Sequence, residues 1–309
     1  MLSRVNVLLN GELVAADRAR VGVFDRGFLF GDGVYEGLRA FDGHLVALGR
    51  HEQRLRAGLA EARIPWDARG LGEVCRRVLK GNGLRDAFVY VQVTRGEPAA
   101  GEPVRARLLT GPVRPTVFAY AVPAPGLDAC DQPASRTAGL LRDTRWLRGA
   151  CKSISLLGSV LGAVEAAERG CEDAIFVRDG LVAEATASNV LAALPSGAPG
   201  AGTGGASAIP GVALVTPDLR STPILEGVTR AILLGAGLGI VERPLRAEEL
   251  AVAREVMLLG TMSMVTAVTA LDGRPVGDGR IGPVARRVLA VLVGEIRREM
   301  AAGSGACRG

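Results

Sequence analysis

Lysine is almost missing from this chain of 309 residues: it stands only at Lys80 and Lys152, so 35 of the 37 basic residues are arginine. Arginine replaces lysine at solvated positions, but not where a deprotonated amine must attack a carbonyl and form an imine. The two surviving lysines are therefore the first places to look for chemistry. Histidine is as scarce, with two residues, and aromatic residues make up 4%. The five cysteines, Cys75, Cys130, Cys151, Cys171 and Cys307, are odd in number and form no Cys-x-x-Cys. That spacing argues against a disulfide framework and against structural zinc, and no metal is expected. Excess charge of one sign is lacking as well, since 37 Lys+Arg against 32 Asp+Glu leave a formal +5. The arginines run through both halves among carboxylates, which excludes a coat built for nucleic acid. The longest uncharged apolar run, Val256 to Leu271, is interrupted by Gly, Thr and Ser and is too short for a bilayer, which takes about 20 residues. The opening Met1-Leu2-Ser3-Arg4-Val5-Asn6 has none of the zones of a signal peptide. A cytoplasmic enzyme with no membrane partner is expected.

With 48% hydrophobic and 22% charged residues the chain can bury a large core in one or two domains. Asn10-Gly11 and Asp42-Gly43, each between strand-like runs, are type I′ hairpin signals. Residues 48–62 and 70–79 carry apolar residues at helical spacing, and strands are expected at 87–94 and 116–122. The Pro/Gly-rich stretch that follows suggests a linker over 123–136, separating an N-terminal domain, 1–122, from a C-terminal one, 137–309. In the second half the pattern predicts strands near 137–141, 174–177 and 181–183, and helices at 155–169, 227–234 and 284–300. Hairpins mixed with uneven helices indicate an α+β fold more than a regular βαβ series. Residues 195–211, rich in Gly, Ala, Ser and Pro, read as a surface excursion between two strands. Gly200, Gly202 and Gly205 in it satisfy G-x-G-x-x-G, but no strand precedes them and no helix follows, so the dinucleotide reading fails.

Lys80 ends a helix at Arg76-Arg77-Val78-Leu79-Lys80-Gly81, where a cation satisfies terminal carbonyls and the dipole. Lys152 lies between a strand-like segment and an apolar helix start, where partial desolvation would favour a nucleophilic amine. Position alone slightly favours a lysine that caps or bridges at a domain surface.

The surrounding motifs reverse that balance. Asp25-Arg26-Gly27-Phe28-Leu29-Phe30-Gly31-Asp32-Gly33-Val34-Tyr35-Glu36, His51-Glu52-Gln53-Arg54-Leu55, Val91-Gln92-Val93-Thr94-Arg95-Gly96, Lys152-Ser153 and Glu184-Ala185-Thr186-Ala187-Ser188-Asn189 occur in this order. Together they resemble the class IV aminotransferases, pyridoxal-phosphate enzymes of fold type IV. Asp143-Thr144-Arg145-Trp146-Leu147-Arg148 and the run from Lys152 to Leu161 look most like the D-amino-acid aminotransferases within that family. The resemblance implies a smaller N-terminal α/β sandwich and a larger C-terminal pseudo-barrel with pyridoxal 5′-phosphate between them.

It also implies roles. Lys152 would carry the cofactor and then shuttle the substrate proton, and Glu184 would hold the ring nitrogen protonated. Arg54, Val228, Thr229, Gly260 and Thr261 would cradle the phosphate, with Ser188 and Asn189 beside the cofactor and His51 in support. Tyr35 would share the substrate carboxylate with an Arg-x-His pair given by a second subunit, which implies a homodimer. In this chain the loop is longer and reads Arg105-Ala106-Arg107, so these arginines either replace that pair or belong to a solvated loop. The expected reaction moves an amino group between a small amino acid, D in the leading reading, and a 2-oxo acid. A branched-chain L-amino-acid aminotransferase, an (R)-amine transaminase and an aminodeoxychorismate lyase are the alternatives on the same scaffold.

Overall fold

Residues 5–197 and 209–305 are described by the structure, a computed structural model. Contacts divide the chain into two units: one runs to Ala129 and takes back Cys151–Leu156, and the other comprises Cys130–Ala150 and the chain from Leu157 onward. This differs from a single break at 123–136. Strand residues occupy both ends of that expected linker, and Lys152 falls in the first unit instead of the second. The cause is backbone pairing between Val34 and Ser153.

In the first unit the elements are β1 (Asn6–Leu9), β2 (Glu12–Ala15), α1 (Arg26–Phe30), β3 (Gly33–Phe41), β4 (His44–Leu45), α2 (Leu48–Ala62), α3 (Leu71–Gly81), β5 (Ala87–Thr94) and β6 (Thr116–Pro123). The strands form one sheet in the order β2-β1-β6-β5-β3-β4. Both hairpin signals are realised: Asn10 and Gly11 have φ of 49° and 87°, and Asp42 and Gly43 have 50° and 80°. Positive φ at both central residues matches the turn to the right-handed twist of the strands. Alternation then assigns the faces. Val34, Leu38 and Ala40 of β3 and Ala87, Val89, Val91 and Val93 of β5 are buried with Leu55 and Leu59 of α2 and Val78 and Leu79 of α3. The opposite face carries a row of rings, Tyr35, Tyr90 and Tyr120, stacked with centroids 5.4 and 5.1 Å apart.

In the second unit the elements are β7 (Ala134–Arg142), α4 (Leu157–Glu168), β8 (Asp173–Arg178), β9 (Leu181–Ala185), β10 (Asn189–Pro195), β11 (Val212–Thr216), α5 (Val228–Gly235), β12 (Val241–Glu242), α6 (Ala247–Leu250), β13 (Glu255–Gly260), β14 (Met264–Leu271), β15 (Arg274–Pro275) and α7 (Pro283–Gly305). Its sheet runs β12-β11-β10-β13-β14-β7-β8-β9, and a further pairing joins β9 to β10 at Glu184↔Asn189. That pairing closes a ring of β10, β13, β14, β7, β8 and β9, the pseudo-barrel that the resemblance implied. Ile175, Val182, Val190, Ala192, Val256, Leu258 and Val268 belong to the buried cluster of this unit. The apolar run Val256 to Leu271 is two strands and a turn. No helix among the described residues is long and apolar enough to cross a membrane. β10 pairs with β11 through Pro195↔Val212. The segment 198–208, with Gly200, Gly202 and Gly205, lies outside the described residues, as does Cys307.

The long helix α7 is tied to the barrel by one carboxylate. Val284 and Ala285, in its first turn, donate their backbone N–H groups to Glu255 Oε1 and Oε2, both at 2.8 Å. The acceptors come from a neighbouring strand, so the cap is tertiary, but it satisfies the same orphan donors as a local one. Glu255→Ala should lower unfolding stability by about 2 kcal/mol. Urea unfolding followed by circular dichroism checks this, and an unchanged midpoint would show that the cap contributes nothing.

Candidate active site

The amine of Lys152 is placed by its own backbone. Tyr35 N donates to Lys152 O at 3.0 Å and Ile154 N donates to Gly33 O at 3.1 Å, with a bridge pairing Val34 and Ser153. Residues 152–154 thus lie along the edge of β3 that β4 leaves open at its start. Lys152 Nζ stands 4.2 Å from the centroid of the Tyr35 ring, which draws the ammonium form to the face of an aromatic system. Tyr35 in turn stacks on Tyr90. The sequence-predicted pair of Tyr35 and Lys152 is therefore brought together inside one unit.

Glu36, next to Tyr35, points to the opposite face and into the core, with an exposure of 0%. Arg54 Nε donates to Glu36 Oε1 and Arg54 Nη2 to Glu36 Oε2, both at 2.7 Å. His51 Nδ1 is also 2.7 Å from Glu36 Oε2. Burial would push the Glu36 carboxyl up, but the hydrogen bonds and charge of Arg54, joined by His51, hold it at about 2. Burial lowers the pKa of His51 more than Glu36 raises it. The imidazole is thus neutral, and it must carry its proton on Nδ1, because a carboxylate can only accept.

The second unit supplies another carboxylate network. Glu184, at the end of β9, accepts from Arg145 Nη1 at 2.8 Å on Oε1. Its Oε2 accepts from Leu225 N at 3.0 Å and from Asn189 Nδ2 at 3.4 Å. Arg145 also grips Asp143 through Nε at 2.9 Å and Nη2 at 3.1 Å, and lies 4.2 Å over the Phe176 ring. Burial raises Asp143, but Arg145 and Arg178 bring it below the ordinary carboxylate range. A guanidinium shared between two acids fixes the direction of Glu184.

Anion donors are present in the same unit. α5 starts at Val228 and Thr229 with no side-chain cap, which leaves first-turn N–H groups for a ligand. Its Gly227 is required by close approach: a Cβ there would lie 1.9 Å from Asn189 Oδ1. Gly260, before the turn that holds Thr261, is similar, since a Cβ would lie 2.8 Å from Ser188 Oγ and 3.1 Å from Ser263 Oγ. Within the second unit, these cradles and the oriented carboxylate of Glu184 are donors of the kind that fit a phosphorylated pyridine, and the first unit carries the Lys152 amine, a group of the kind that fits an aldehyde.

Arg105 and Arg107 are brought together, but at Phe30. Each guanidinium carbon is 5.5 Å from that ring's centroid, and Arg26 lies over it at 4.8 Å. Both loop arginines are exposed. Arg26 further donates to the carbonyl of Arg107, at 3.2 Å, so the loop is held in place by its backbone while its two side chains stay at the surface.

Glu36 and Arg145 were inside the quoted motifs yet carried no assigned role. A signal existed for Glu36, because alternation along β3 puts it on the core face with Val34 and Leu38, and a buried acid needs a partner. Tyr90 and Tyr120 were readable only as strand residues until the register set them beside Tyr35.

The family model for amino-transferase class IV matches residues 33–271. The D-alanine aminotransferase of Bacillus licheniformis is 33% identical over 96% of this chain and 99% of its own length. A putative branched-chain-amino-acid aminotransferase of Methanocaldococcus jannaschii is 31% identical, covering 92% of this chain and 94% of its own. Among solved structures, a branched-chain amino acid aminotransferase of Escherichia coli superposes with a TM-score of 0.79 at 25% identity, covering 94% of each chain. A PLP-bound hypothetical aminotransferase from Mycobacterium tuberculosis shares the fold with a TM-score of 0.76 at 23% identity, over 96% of this chain and 100% of its own.

The Glu36 cluster makes stability depend on pH. A carboxyl held at about 2 instead of 4.5 adds stability that is complete above the ordinary value and is lost as pH falls toward 2, on the order of 3 kcal/mol. His51, neutral in the fold, adds a loss that begins as pH falls below 6.5. In urea titrations between pH 5 and 2.5, Glu36→Gln should show a shallower fall than the wild type. Parallel curves would place the acid sensitivity elsewhere.

Proposed function

Because the chain belongs to the class IV aminotransferases and is a pyridoxal-phosphate-dependent transaminase, we propose that it moves the amino group of a small D-amino acid to a 2-oxo acid such as pyruvate or 2-oxoglutarate. The observation that carries this reading is the Lys152 amine held over Tyr35 by strand pairing. The choice of D-substrates is supported by similarity to D-alanine aminotransferases along nearly the whole chain. When bound, pyridoxal phosphate supplies a sink for the electron pair left at the substrate Cα after its proton departs.

Lys152 would hold the cofactor through its amine, and Nζ would take the substrate α-proton and return it. Glu184, aimed by Arg145, keeps the ring nitrogen protonated. Arg54 and the first-turn N–H groups of Val228 and Thr229 hold the phosphate, with Gly260 and Thr261 completing its cradle and Ser188 and Asn189 beside it. Tyr35 binds the substrate carboxylate together with Arg105 and Arg107 from a second copy, so the working unit is a homodimer in the cytoplasm. Their exposure suits donation to a neighbour. The likeness to branched-chain enzymes supports a second reading, transfer from branched L-amino acids by the same residues.

Borohydride reduction and peptide mapping should mark Lys152 and leave Lys80 unmodified, and Lys152→Ala should abolish turnover. An amino-donor screen should then give turnover with D-alanine or D-glutamate. Turnover with L-valine or L-leucine alone would establish the second reading.

The loop assignment is tested by Arg105→Ala. It should raise KM for an amino acid and for its 2-oxo partner together, by roughly 2 kcal/mol, and barely affect an amine without a carboxylate. Equal penalties for both substrate types would mean that the loop supports the assembly only.

A further inference from the structure

We propose that Glu36 is a positioning residue for the cofactor phosphate: it acts through Arg54, whose guanidinium it locks in one plane, and does not touch the phosphate itself. The inference rests on the reading of Arg54 given above. Its grounds are geometric. Glu36 is fully buried on the core face of β3, where its neighbours Val34 and Leu38 are apolar, so sheet packing alone gives no reason for an acid there. Both of its oxygens are committed to Arg54 in the two-point fork, at 2.7 Å each. His51, packed on the same helix one turn before Arg54, takes up a further lone pair of Oε2. A guanidinium held through Nε and one terminal nitrogen cannot rotate, so the direction of Nη1 is set by Glu36.

The charges support a directional role over a purely attractive one. Glu36 cancels the charge of Arg54, and His51 adds none, since burial keeps it neutral. The pair would therefore act on an anion through the direction of the Arg54 guanidinium more than through net charge. A merely structural Glu36 would affect folding without being coupled to Arg54 in cofactor binding. An acid present for its charge alone would be replaceable by aspartate, and one that only weakens the pull of Arg54 would give tighter binding on neutralisation.

The test is titration of apoenzyme with pyridoxal phosphate, followed by absorbance and intrinsic fluorescence, with thermal unfolding of each apo form as a check on folding. Arg54→Ala should weaken binding. Glu36→Gln and Glu36→Asp should each raise Kd about tenfold, the size of one charge-assisted hydrogen bond. In an Arg54→Ala background the same Glu36 changes should have no further effect. Wild-type affinity in Glu36→Asp, tighter binding in Glu36→Gln, or an undiminished penalty in the Arg54→Ala background would overturn the proposal. Unchanged affinity in Arg54→Ala would overturn the reading of Arg54, and this inference with it. Where a Glu36 variant does not fold, Arg54→Lys replaces it. An ammonium pairs with Glu36 as a point charge and loses the fork, so affinity should fall as in Arg54→Ala, and wild-type affinity would count against the proposal.

Discussion

A charge can be taken out of water only beside a partner that meets its geometry, and in this chain pairing between arginine and carboxylate decides where the side chains of the candidate site stand. Asp32 accepts from Arg26 Nε at 2.8 Å and from Arg95 Nε at 2.7 Å. Burial acts to raise its pKa, but the two arginines lower it below the ordinary value. That knot fixes the corner from which β3 departs, and hence Tyr35 three residues later. Glu36 repeats the device for Arg54, and Asp143 with Arg145 repeats it for Glu184. Arginine suits this work because its planar fork is selective in direction, whereas an ammonium is a point charge. The near absence of lysine fits a chain that relies on such forks.

The backbone does for Lys152 what ion pairs do for the acids. Residues 152–154 use the free edge of β3, so the amine inherits the rigidity of a sheet that is buried on one face and stacked with tyrosines on the other. Its neighbour Cys151 packs against the core of the same unit. An amine carried on such an edge takes its direction from the backbone. Lys80, in the last turn of α3, has no comparable setting.

In the second unit the ring of strands closes at Glu184 and Asn189. Glu184 and Asn189 are register partners across the closing pair and are also joined through their side chains. A change at either residue therefore acts on the closure of the ring and on the Glu184 hydrogen-bond network together. The same holds at Gly227, where the absence of a side chain lets Asn189 approach the start of α5.

Local rules were enough for the elements whose pattern is local. The Asn-Gly and Asp-Gly turns, the alternation of β5 and the helical spacing of α2 each follow from neighbours in sequence, and the ordered motifs pointed to Lys152, Glu184 and Tyr35. Strands β10 and β13 gave no alternation because almost every residue in them is buried, on both faces of the sheet, so period two disappears. The return of 151–156 to the first unit was invisible, since edge pairing with β3 joins residues more than a hundred positions apart and leaves no mark in composition. The bidentate lock on Arg54 and the shared guanidinium of Arg145 were likewise decided only in three dimensions. Sequence shows which residues carry charge, but which charges share a buried space depends on strand register and helix packing.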